Sequence, residues 1–330
     1  MARSVLFLLV NALVICGVVA NYAFLSIGDW GGAQLGDEYS TNVYAVSDQL
    51  ATTSTDSDAQ FIIGTGDNFY WCGIQNTTDP QISVDFEQPY SHAALQKPWY
   101  HALGNHEYGY NVQAQIDYHQ LNPVIAMGDS GHFLTLLFID TSPCVSDYRN
   151  DNKEYWDPCS TQYPTCSQTN SDTDDFEGPC MFHENILSQN CGAQYSWLQA
   201  TLWGIPKDDW LVVVGHHPID EVNVKDFTSL LQQRGFAIYL NGHTHTMNQY
   251  TIDGAGAYVT TGAGAMMRKA HRRAVNASDS ATYTDHTYQK IWNQAVAGFT
   301  LHTFNADFTQ LTTDFVSYTG AVVHTFTSDK

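Results

Sequence analysis

Short apolar runs that break off into clusters of Gly, Asp, Asn and His recur along the chain. Phe24–Ile27 precedes Gly28-Asp29, Phe61–Ile63 precedes Gly66-Asp67, and Trp99–Leu103 precedes Gly104-Asn105-His106. Leu211–Val214 leads into Gly215-His216, and Phe236–Leu240 into Gly242-His243. Runs this short, bounded by turn formers, are expected to be buried strands. Between them the apolar spacing changes to three and four. Val43, Val46 and Leu50 share one helical face, with Ser40 or Thr41 as the expected N-cap. Tyr195, Leu198, Leu202 and Ile205 share another, and Phe227, Leu230 and Leu231 a third that should stop near Gly235. Strand–helix alternation predicts an α/β core with largely parallel pairing. From about Tyr250 the pattern turns to strands, ending in Phe299–Phe304, Leu311–Tyr318 and Ala321–Phe326. These are expected to complete a second sheet.

The first twenty residues stand apart. Arg3 is followed by an apolar run from Val5 to Ile15, broken only by Asn11, and then by Val18-Val19-Ala20. That is the pattern of a secretory signal peptide at 1–20, too short to span a bilayer. No later apolar stretch approaches the roughly 20 residues a membrane span needs. Residues 21–330 show no Pro/Gly/Ser linker and no internal repeat, so a single domain is expected. Hydrophobic residues at 43% and aromatic residues at 13% supply a large core and exclude disorder. The formal charge of −21 argues against nucleic-acid partners and anionic membrane surfaces, which require basic patches.

Cys16 would leave with the signal, and Cys72, Cys144, Cys159, Cys166, Cys180 and Cys191 remain. An even number in an exported chain predicts disulfides, and no CxxC pair supports zinc. All but Cys72 lie in 144–191, where hydrophobic periodicity is poor and Arg149 and Lys153 are the only basic residues. This stretch is expected to be a disulfide-stapled excursion from the core. Its five cysteines cannot all pair among themselves, so full oxidation requires a bridge to Cys72. Asn76-Thr-Thr and Asn276-Ala-Ser are candidate glycosylation sites.

Loops at the carboxyl ends of strands in an α/β sheet converge on one crevice. Here they hold Asp29, Asp67, Asn105, His106, His216, His243 and His245. A lone Asp after a strand is a turn residue or helix cap, and a lone His is commonly a satisfied core group. Five such loops in succession point instead to a shared site. Asp29, Asp67, Tyr70, Asn105, His216, His243 and His245 make seven candidate metal ligands. Seven suffice for two ions about 3.5–4 Å apart that share a carboxylate. His243 and His245, two residues apart, would point to one side of an extended segment and could each serve a different ion.

The blocks Gly28-Asp29-Trp30-Gly31, Gly66-Asp67-Asn68-Phe69-Tyr70, Gly104-Asn105-His106-Glu107, Val213-Val214-Gly215-His216 and Gly242-His243-Thr244-His245 resemble the five motifs of the calcineurin-like metallophosphoesterases. More narrowly they resemble the purple acid phosphatases in their small tartrate-resistant form. The resemblance implies an α/β four-layer αββα sandwich with two mixed sheets. Most metallophosphoesterases begin with Asp-x-His, whereas Asp29 is followed by Trp30 and Gly31. Tyr70 can fill that vacancy as a phenolate, a hard anionic oxygen that favours iron(III). The family pattern then assigns iron(III) to Asp29, Tyr70 and His245. It assigns a divalent ion, Fe(II), Zn or Mn, to Asn105, His216 and His243, with Asp67 bridging.

The same resemblance implies a function. The chain would be an acid phosphatase acting on small phosphate esters or phosphoproteins, with Asn105 and His106 contacting substrate. His106 is the candidate general acid; an orienting role for it is the alternative. His217 stands where the family pattern usually has Tyr and is a further candidate for substrate contact. A second substrate-binding His expected beyond His216 is missing, and Asp220, Glu221 and Lys225 stand in that region. A phosphodiesterase or pyrophosphatase, or a redox-active di-iron protein producing reactive oxygen, remains compatible with the same ligands. The expected location is extracellular, or a lysosomal or vacuolar lumen, and the expected state a monomer. The 144–191 excursion is expected either to restrain activity or simply to stabilise the fold. The basic cluster Arg268, Lys269, Arg272 and Arg273 is expected either to draw anionic esters to the cleft or to be an exposed loop.

Overall fold

The computed structural model describes residues 22–129, 132–150, 166, 180–267 and 286–330. The expected signal peptide, Cys159, Asn276 and the Arg268–Arg273 cluster fall outside these residues, as does most of the excursion. One sheet holds β1 (Tyr22–Ile27), β2 (Ile62–Gly64) and β3 (Trp99–His101), all parallel. The other is built from β4 (Val124–Asp129), β5 (His132–Phe138), β6 (Trp210–Val214), β7 (Ile238–Asn241), β8 (Met247–Ile252), β9 (Ala255–Thr261) and β10 (Tyr288–Gln294). Its order is β10-β8-β9-β7-β6-β5-β4, with β5, β6, β7 and β9 parallel and the rest antiparallel. The last strands, β11 (Gly298–Phe304), β12 (Gln310–Ser317) and β13 (Val322–Asp329), join the first sheet rather than the second. β11 pairs antiparallel with the open edge of β1, setting Leu25 opposite Leu301 on one side and Ile62 on the other. Both sheets are therefore mixed.

Strand alternation produces the layers. Phe24 and Ile63 face Val212, Val214 and Leu240 of the opposite sheet, and Phe304 and Phe315 complete this inner core. Leu25, Ile27 and Ile62 face outward onto Val43, Val46 and Leu50 of the helix Asp37–Asp56. On the far side Leu211, Val213 and Tyr239 pack on Leu198 and Leu202 of the helix Cys191–Gly204 and on Leu230 and Leu231 of the helix Phe227–Arg234. Burial on both faces explains why these strands are continuous apolar runs rather than alternating ones. The result is the helix–sheet–sheet–helix sandwich.

Two local expectations are corrected, and one pair of strands is additional to them. The first long helix begins at Asp37, because Gly36 at φ 72° breaks the chain there, ahead of Ser40 and Thr41. Sequence patterning misses the antiparallel pair β4–β5, since β5 runs into Ile139-Asp140 without a turn signal. The closing strands complete the first sheet. The expected stop near Gly235 matches: Gly235 caps Phe227–Arg234 at φ 78°. Among the described residues no helix is long and apolar enough to cross a membrane.

Candidate metal centre

All seven candidate ligands lie at the carboxyl ends of β1, β2, β3, β6 and β7 or in the loops just beyond, where the two sheets meet. The Tyr70 hydroxyl lies 3.1 Å from Asp29 Oδ1, 3.2 Å from Asp67 Oδ2 and 3.1 Å from His245 Nε2. Asn105 Oδ1 lies 2.9 Å from His216 Nε2 and 3.1 Å from His243 Nδ1. Asp67 Oδ2 connects the two groups, being 3.2 Å from His216 Nε2 as well as from Tyr70. Asp29, Asp67 and His216 offer ligand atoms that all lie within 4.8 Å of one another.

His243 and His245 do not sit on an extended segment. Both take positive φ, 71° and 53°, in a turn between β7 and β8, and so do Asp29 at 53° and Asp67 at 51°. The turn directs His243 Nδ1 to Asn105 and His245 Nε2 to Tyr70, one imidazole to each group of donors. The same loops demand close backbone approach. A Cβ on Gly104 would lie 2.2 Å from Asp67 Oδ1, and one on Gly262 would lie 2.4 Å from Asp29 Oδ2.

His106 also lies here. Its Nδ1–H donates to the Trp71 carbonyl at 2.6 Å, which turns Nε2 toward the donor cluster, 3.7 Å from Asp67 Oδ2. Its ring stands edge-on to Tyr70 at 4.3 Å. His217 is placed differently. Its Nδ1 pairs with Thr141 Oγ1 at 2.8 Å and its Nε2 with the Tyr148 hydroxyl at 3.1 Å, so both ring nitrogens are occupied by the protein. The ring lies 4.3 Å from that of His243, so this buried residue braces the centre from behind, which disfavours substrate contact.

Sequence reasoning assigns Glu107 and Thr141 no role. The Glu107 carboxylate accepts from the backbone N–H groups of Asp67, Asn68, Phe69 and Gly104, locking the second motif to the third. Its one signal in the sequence is its place as the last residue of its block. Thr141 Oγ1 accepts from the N–H groups of both His216 and His217, and it lies just beyond β5, the strand that patterning misses. Asn76 is exposed in a turn, where its side chain accepts from Thr78. Cys72 bridges to Cys166 with 5.8 Å between Cα atoms, so the excursion is tied to the rim two residues from Tyr70. Cys144 bridges to Cys191, and Cys180 is also disulfide-bonded.

The donor set fits cations. Asp29, Asp67 and Tyr70 are fully or almost fully buried, and the ion pairs of the two carboxylates among the described residues are with imidazoles. Buried anionic oxygens at this density require positive charge between them. Burial, reinforced by the two carboxylates, holds the Tyr70 phenol well above its usual range. Burial also raises Asp29. Asp67 is held well below the ordinary range despite burial, by His216 and His106. Burial alone would depress His216, yet Asp67 pushes it up to about 10. With the His216 Nδ1 proton committed to the Thr65 carbonyl at 2.9 Å, a neutral ring turns its Nε2 lone pair toward Asn105 Oδ1 and Asp67 Oδ2. Three acceptors facing one another become favourable only around a proton or a metal ion.

Comparison with known proteins agrees with this geometry. The family model described as calcineurin-like phosphoesterase matches residues 22–247. Tartrate-resistant acid phosphatase type 5 of Homo sapiens is 29% identical over 272 residues, covering 78% of each chain. Purple acid phosphatase 7 of Arabidopsis thaliana is 27% identical over 284 residues, covering 80% of this chain and 76% of its own. Among solved structures, "GAP50 the anchor in the inner membrane complex of Plasmodium" superposes with a TM-score of 0.64 at 19% identity, covering 94% of this chain and 89% of that one. The sandwich, the five loops and the matched span together place this chain in the calcineurin-like phosphoesterase family, as a metallophosphoesterase related to the purple acid phosphatases.

Proposed function

We propose that the chain is a secreted or lumenal acid phosphatase that hydrolyses phosphate monoesters at a dinuclear Fe(III)–M(II) centre. The observation that carries this reading is the position of Asp67 Oδ2, 3.2 Å from Tyr70 on one side and from His216 on the other. Asp29, Tyr70 and His245 would hold the trivalent ion, and Asn105, His216 and His243 the divalent one, with Asp67 shared. Two such ions neutralise phosphate oxygens and acidify water. The protein's own part is to position and to transfer a proton. Glu107 and Thr141 hold the loops, and His106 presents Nε2 to the donor cluster because its Nδ1–H is engaged at Trp71. Burial pushes the His106 imidazole down to about 4, against the pull of Asp67. A phosphate anion beside it favours the protonated form, which then donates its Nε2 proton to the leaving alkoxide. Export is supported by the disulfides Cys72–Cys166 and Cys144–Cys191. A purely anchoring role, the one the Plasmodium neighbour is named for, would not require seven convergent donors and an imidazole beside them.

Metal analysis of the purified protein, together with parallel monoester and diester assays at mildly acidic pH, tests the reading. Two metals per chain, one of them iron, and preference for the monoester are expected. Fewer than two metals, or preference for the diester, would overturn it.

A further inference from the structure

One carboxylate at the mouth of the centre is not among the seven donors. Glu221 closes the short turn Ile219–Glu221, directly after His216-His217-Pro218. Its Oε2 lies 3.5 Å from His243 Nε2, and both side chains are about one-quarter to one-third exposed, 31% and 26%. The turn is rigidly braced. Ile219 and Val222 are buried in the outer core, and the N–H groups of Asn223 and Val224 both donate to the Cys144 carbonyl at 3.0 Å. Asn223 Oδ1 accepts in turn from the Ser146 N–H at 2.8 Å, and Cys144 is itself bridged to Cys191. Glu221 therefore projects from a fixed platform rather than from a loose loop.

The two nitrogens of His243 face opposite ways. Nδ1 points inward at Asn105 Oδ1, 3.1 Å away, and Nε2 points outward at Glu221. A neutral imidazole carries one proton. When Nδ1 gives its lone pair to a cation, that proton must sit on Nε2, where Glu221 is the acceptor. Carboxylates on the outer nitrogen of a ligating histidine fix its tautomer and raise its basicity.

We propose that Glu221 is a positioning residue for the divalent half of the centre, accepting the Nε2–H of His243 so that Nδ1 is turned to the metal. This rests on the dinuclear reading above and adds to it the group that sets divalent-ion affinity. It also gives the acidic residue that departs from the family pattern a definite task.

The test is a titration of holoenzyme dialysed free of its divalent ion, with manganese(II) as the probe and free Mn(II) followed by its electron paramagnetic resonance signal. Glu221→Ala should weaken Mn(II) binding by about 10- to 100-fold, the usual cost of losing such a partner. Glu221→Gln keeps an acceptor oxygen and should stay within a few-fold of the parent. Turnover of the alanine variant should recover to near the parent value at saturating Mn(II), because Glu221 acts through His243 and not on substrate. Equal Mn(II) affinity in all three proteins would overturn the proposal, as would a turnover loss in Glu221→Ala that Mn(II) does not restore. A parent protein that binds no second ion would instead overturn the dinuclear reading itself, so the two failures are distinguishable.

Discussion

Asp29, Asp67, His243 and His245 hold φ between 51° and 71°, a region that costs a non-glycine residue roughly 1–3 kcal/mol. Each is held there by contacts made with its own side chain or by neighbouring backbone, as when the His243 N–H donates to Asp29 Oδ2 at 2.8 Å. The identities of these residues are legible because they recur after strands, whereas their backbone conformation leaves no trace in spacing. This is why spacing alone wrongly suggests an extended geometry for His243 and His245. Glu107 escapes notice for a related reason: a carboxylate beside ligands looks like a surface charge until its four backbone donors are seen. Glu107→Gln replaces a carboxyl group that accepts through both oxygens with an amide that accepts through one oxygen only. Turnover should fall by about 10- to 100-fold, with circular dichroism unchanged. Unaltered turnover would remove Glu107 from the positioning network.

At the level of elements, five strand-to-loop junctions are readable because the strands are buried on both faces, β3 only in part, and each ends in a turn former. The pair β4–β5 is not, since its second strand passes directly into Ile139-Asp140-Thr141, a junction without glycine. Its absence from the pattern conceals Thr141 and the platform it shares with Cys144. The Cys144–Cys191 bridge spans 47 residues and joins this junction to the start of the helix Cys191–Gly204. Replacing both cysteines with alanine should cost about 2–4 kcal/mol, read as a lower denaturant midpoint. A midpoint equal to that of the parent would show that the surrounding core holds the junction without the bridge.

Across the whole molecule, buried titratable groups make stability depend on pH, and two carboxylates outside the metal centre give a traceable share of it. Asp85, sequestered beneath the loop that carries Tyr70, is raised by burial to about 7, and its partners Gln81 and Gln34 only partly offset this. Asp140, bonded to the Tyr108 hydroxyl, is raised by burial to about 6. Between the ordinary value of 3.8 and these raised values, the folded protein keeps protons that the unfolded chain has lost. Stability contributed by these groups is therefore greatest at acidic pH and falls as pH rises toward 7, by on the order of 4 kcal/mol for Asp85. Buried His119 and His302, held down at about 3, act in the opposite direction over the same interval. Asp85 is therefore read as a difference: the melting temperature of Asp85→Asn should rise relative to that of the parent as pH increases through it. A difference between the two curves that does not change with pH would exclude Asp85 as a source.

The central claim is that Tyr70, in place of the missing imidazole after Asp29, binds a trivalent iron that shares Asp67 with a second ion. The visible absorption spectrum of the purified protein beside that of Tyr70→Phe tests it most directly. A phenolate on iron(III) gives a charge-transfer band, so the parent should be coloured and the phenylalanine variant should lose the band while keeping its fold. An unchanged band in Tyr70→Phe would contradict the assignment.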